Sequence, residues 1–75
     1  MKEKRRLTAI IEREGNGYCS LCPELDIASQ GETVEHARTN LAEAIELFFE
    51  TASPAEITTR LRPDVFVTQV EVAIG

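Results

Sequence analysis

Arg6-Leu7-Thr8-Ala9-Ile10-Ile11-Glu12-Arg13-Glu14-Gly15-Asn16-Gly17-Tyr18-Cys19-Ser20-Leu21-Cys22-Pro23 is the stretch whose reading decides the fold. Residues 6–13 are rich in β-branched and aliphatic side chains, and Leu7, Ala9 and Ile11 share one face at a period of two. That is the pattern of a half-buried strand. Glu14-Gly15-Asn16-Gly17 then reads as a tight turn, with Asn-Gly supplying the two positive-φ positions of a type I′ hairpin loop. Residues 18–22 form the returning strand, and Pro23 ends it because it has no N–H for a ladder.

Downstream of this hairpin, Glu24-Leu25-Asp26 turns the chain again. Residues 27–30 make a third, shorter strand that stops at Gly31, which completes a meander. Thr33 then suits a helix N-cap, and Glu35 in the first turn suits the positive end of the helix dipole. His36 stands where a capping box would need Glu or Gln, so the box is incomplete. Val34, Ala37, Leu41, Ala44, Ile45 and Phe48 recur at three and four, which predicts an amphipathic helix over 34–51. Ser53-Pro54-Ala55-Glu56 is a fuller start signal for a short second helix before Pro63. Residues 65–74 alternate throughout: Phe66, Val70, Val72 and Ile74 lie on one face, Gln69 and Glu71 on the other. They predict a long final strand.

The order β-β-β-α-(short α)-β predicts an α+β fold, a two-layer sandwich. A last strand parallel to the first and beside it gives a right-handed crossover and the sheet order 3-2-1-4. One helix covers one sheet face only, yet Ile10 and Ile11 are adjacent, as are Phe66 and Val67, so both faces carry apolar residues. A chain of 75 residues buries only about 60% of its unfolded surface, and such scaffolds often need self-association. The expectation is a homodimer or larger homo-oligomer built on the uncovered face or the exposed edge, with Val65, Val67 and Gln69 as candidate oligomerisation residues.

Charge and composition bound the function. The chain reads as a single domain over 1–75, with a frayed basic tail at 1–6. The net charge is −5, and between Glu14 and Thr59 the only base is Arg38, against Glu14, Glu24, Asp26, Glu32, Glu35, Glu43, Glu46, Glu50 and Glu56. An acidic body suits a basic protein partner and opposes a phosphate backbone. The first residues are charged with no apolar stretch behind them, and no run approaches the ~20 residues of a membrane span. The expected setting is cytoplasmic, reduced and free of membrane.

Candidate chemistry is thin. Cys19 and Cys22 form a C-x-x-C, but no second pair completes four zinc ligands, and His36 is the only histidine. An odd spacing on a strand points the two thiols to opposite faces. His36 has no nucleophile that the sequence sets beside it. No cofactor or metal is expected. Tyr18, the only tyrosine, suits cross-strand packing beside the turn or an anchor at an interface.

Four motifs occur in order over residues 8 to about 50. They are a Gly17-Tyr18 opening of the second strand, the Cys22-Pro23-Glu24-Leu25 turn, Ser29-Gln30-Gly31-Glu32-Thr33 ahead of the helix, and Ala37-x-x-Asn40-Leu41-x-Glu43-Ala44 within it. Together they resemble the HicB family of antitoxin-like domains. The resemblance implies a partial ribonuclease-H-like sheet with one covering helix. It also implies a role, since HicB proteins dock on HicA toxins, small basic ribonucleases, and block their active sites. Tyr18, Pro23, Glu24, Leu25 and Asp26, in the region matching the family, are then the candidate partner-binding residues. Longer members carry a C-terminal DNA-binding domain, for which a chain ending at Gly75 leaves no room, so nucleic acid is not the expected partner. A metal-dependent nuclease would need carboxylates in mid-strand, where Ala9, Ile10, Gln69 and Val70 stand instead. The expectation is a non-catalytic antitoxin. The alternatives are a stand-alone, self-associating domain with no toxin, and a nucleic-acid binder acting through Lys2, Lys4, Arg5 and Arg6.

Overall fold

A computed structural model describes residues 4–75 of the chain. Among them the fold is a small α+β domain of three antiparallel strands and two helices: β1 (Ile10–Glu14), β2 (Gly17–Cys22), β3 (Ile27–Gly31), α1 (Val34–Thr51) and α2 (Pro54–Arg60). The expected basic tail at 1–6 lies partly outside the described residues; Lys4, Arg5 and Arg6 are exposed.

The hairpin forms where the sequence puts it, with Glu14 opposite Gly17 and a two-residue loop of Gly15 and Asn16 between them. The loop chemistry differs from the expectation. Only Gly15 has a positive φ, +59°, which is the pattern of a type II′ turn with glycine leading and not of type I′. Both primed turns match the right-handed twist of the strands, but a loop centred on Asn16-Gly17 would set Gly15 opposite Tyr18, and the observed loop sets Glu14 opposite Gly17 instead. β1 also starts later than its alternation suggests, because residues 6–9 have no strand partner.

β2 is central, and the sheet order is β1-β2-β3. Ser20 and Cys22 of β2 are buried, as are Ala37 and Leu41 of α1, which lies across that face. The helix sits mainly over β3, less over β2 and least over β1. Two hydrogen bonds fasten it: the Ser20 hydroxyl donates to the Ala37 carbonyl at 2.9 Å, and the Asn40 side-chain amide donates to the Gln30 carbonyl at 2.8 Å. Gly31 permits the tight return from β3 into α1, since a Cβ there would stand 2.5 Å from the Ala37 nitrogen. Thr33 caps α1 by accepting from the His36 N–H at 3.0 Å. Ser53 and Glu56 form the complete capping box of α2. Val34, counted in the apolar stripe, is exposed.

Cys22, Leu25 and Leu41 form the buried cluster, with Leu7, Ile27, Ile45, Phe48, Phe49 and Leu61 packed half-buried around it. The expected fourth strand is corrected: residues 65–74 pair with nothing among the described residues, and the order 3-2-1-4 is not formed within the chain. Alternation specifies the two faces of a strand but not its partner, and a strand exists only where an edge receives it.

Candidate functional site

The turn after β2 is the knot of the domain. The Thr8 hydroxyl donates to the Glu24 carboxylate at 2.7 Å, and the Thr8 N–H is shared between both carboxylate oxygens at 3.1 Å. The Arg62 N–H donates to the Glu24 carbonyl at 2.7 Å. The Arg60 guanidinium donates to the Leu25 carbonyl at 2.8 Å and to the Asp26 carbonyl at 3.2 Å. One turn thereby joins the chain before β1 to the chain after α2. Burial alone would raise the Glu24 carboxyl, but hydrogen bonds from Thr8 and from backbone N–H groups outweigh it and hold the carboxyl below its ordinary value.

Two of the candidate partner-binding residues are buried: Leu25 is 0% exposed and Glu24 8% exposed, and both make their contacts inside the domain. A glutamate in a turn reads as a surface acid, and its partner Thr8 is too distant in sequence for any local pattern to reveal. Pro23 is half-buried and Asp26 exposed; Asp26 adopts a positive φ of 55°.

Tyr18 lies elsewhere, at the hairpin end of the sheet. Its hydroxyl accepts from the Arg13 guanidinium at 2.9 Å, and that guanidinium lies 5.2 Å from the ring centre. Around the half-buried ring is a shallow, open depression lined also by Glu14, Asn16, Gln30, Glu32 and His36. The geometry thus separates Tyr18 from the Glu24 turn and gives it neighbours that spacing alone did not supply. The hairpin register, which sets Arg13 opposite Tyr18, was the signal that could have found the pair.

The two thiols diverge as their spacing requires: Cys22 is buried in the core, while Cys19 is half-buried on the opposite face between Glu12 and Gln30. Both are raised above the ordinary thiol value, Cys22 chiefly by burial and Cys19 by burial and then by Glu14. That is the reverse of what an activated thiolate needs. Among the described residues no group of three or more His, Cys, Asp or Glu side chains could hold a metal ion. No helix among them is long and apolar enough to cross a membrane. Val67 and Gln69 stand exposed and Val65 half-buried, on a segment outside the sheet.

The fold and surface define a small α+β domain with an acidic exterior and a tyrosine-centred depression. Comparison with known proteins places it further. The chain is 32% identical over 70 residues to a UPF0150 protein of Helicobacter pylori (strain J99), covering 92% of this chain and 97% of that one. It is 47% identical over 49 residues to the UPF0150 protein ssl0738 of Synechocystis sp. (strain PCC 6803), covering 63% of this chain and 68% of the relative. The chain belongs to the UPF0150 family. No protein-family model matches it. No solved structure matches it.

Proposed function

We propose that this chain is a HicB-like binding domain that neutralises a small basic HicA-type toxin ribonuclease by direct contact, without catalysing a reaction of its own. The observation that carries the reading is the Tyr18 depression. An aromatic anchor sits there between two exposed carboxylates, Glu14 and Glu32. Aromatic rings supply most of the energy at protein interfaces, and flanking charge supplies register and encounter rate. A basic partner is the complement of those carboxylates, and α1 carries further exposed acids, Glu35, Glu43 and Glu46. The four ordered motifs that resemble HicB support the same reading, in a cytoplasmic setting.

Co-expression with the basic protein encoded by the adjacent reading frame tests it. The expected outcome is co-purification and relief of toxicity, both weakened by Tyr18→Ala by about 2 kcal/mol of binding free energy. If the neighbour is not toxic, or the two do not co-purify, the antitoxin reading fails. A second reading, a self-associating domain with no toxin, is favoured by one observation, the unpaired apolar segment 65–74.

A further inference from the structure

Residues 65–74 have the alternation of a strand, and their apolar side chains stand in water: Phe66 is 85%, Val70 82% and Ile74 90% exposed. A contiguous apolar face of this kind marks an interaction site. The segment also distends the molecule. The radius of gyration is 14.5 Å, against about 11 Å for a compact chain of this length.

The same chain carries the complementary surface. β1 pairs on one side only among the described residues, so its outer edge is open to another ladder. α1 lies over β3 and β2 more than β1, and a groove runs between α1 and the chain leading into β1, with the half-buried Leu7, Ile45 and Phe49 in its wall and Lys4, Arg5, Arg6, Glu46 and Glu50 along its rim. A strand added to the edge places every second side chain over the groove. Phe66, Val70, Val72 and Ile74 form one such row.

Free strand and free edge are not joined within the chain. Arg60 and Arg62 pin the end of α2 to the Glu24–Asp26 turn, and a turn at Pro63 and Asp64 then leads the segment off the body. A chain holding both halves of one contact satisfies both by reciprocal exchange about a two-fold axis.

We infer that residues 65–74 add as a fourth strand to the β1 edge of a second copy, with Phe66, Val70, Val72 and Ile74 filling its Leu7–Ile45–Phe49 groove. The second copy returns the same strand. This fourth strand is the one the alternation predicts, placed on a partner, and it does not depend on the toxin reading.

Sedimentation velocity of the full chain from low to high micromolar concentration tests the exchange. The wild type sediments as a dimer. A Val70→Asp/Ile74→Asp variant, altered only at exposed positions, keeps the far-UV circular dichroism of the body and self-associates at least about tenfold more weakly, as loss of central contacts requires. A labelled peptide of residues 64–75 binds this variant, whose groove is empty. A wild type that stays monomeric, a variant that still dimerises, or a peptide that does not bind at high micromolar concentration overturns the inference.

Discussion

The Thr8 hydroxyl and N–H both end on the Glu24 carboxylate, so this one side chain ties the segment leading into β1 to the turn after β2. The folded carboxyl lies below its ordinary value of 4.5. A lowered folded value means that the contribution to stability is complete above the unfolded carboxyl's titration and is lost as pH falls through the folded one. Glu24→Gln is therefore expected to lower stability at neutral pH by about 1–3 kcal/mol and to flatten the acid limb, as read by urea melts at neutral and acid pH. Gly31 acts through space: a Cβ there would meet the backbone of His36 and Ala37, and backbone does not yield as a flexible side chain does. Gly31→Ala should cost about 2–3 kcal/mol, a melting temperature lower by roughly 10 °C or more in a domain of this size. The thiols should separate by burial. Cys19 reacts with a disulfide reagent in the folded protein, and Cys22, in the core, reacts only once the chain unfolds.

Among elements, those set by local signals were legible. α1 spans Val34–Thr51 as its stripe predicts, and α2 starts at Pro54 behind a complete capping box. Ser53→Ala should loosen α2 by about 1 kcal/mol. Because α2 carries Arg60, whose guanidinium holds the Leu25 carbonyl, hydrogen exchange should quicken both in α2 and in the 23–26 turn. Faster exchange confined to α2 would show that the clamp does not couple them. The hairpin was legible in place. Its turn type and register were not, because Gly15-Asn16-Gly17 offers two adjacent glycine-containing loops, and strand pairing selects the one that sets Glu14 against Gly17.

At the scale of the whole molecule, charge gives a prediction. With a net charge of −5 and exposed acids on α1 and around Tyr18, association with a basic partner should slow steeply as salt rises while dissociation changes little, as stopped-flow mixing would read. The candidate site was only partly visible in the chain. Tyr18 stands out as the only tyrosine, but its surroundings are assembled from Glu14 of β1, Asn16 of the turn, Gln30 of β3, Glu32 ahead of α1 and His36 of α1. Leu25 and Glu24 looked equally available and are buried. Local rules determined the meander, both helices, the helix starts and the alternating face of residues 65–74, because period, caps and turn residues act over a few positions. Only the tertiary structure decided that Glu24 meets Thr8, that Gly31 lets α1 approach and that residues 65–74 find no edge among the described residues. Those outcomes depend on which distant groups and edges come together in space, and no local period encodes that.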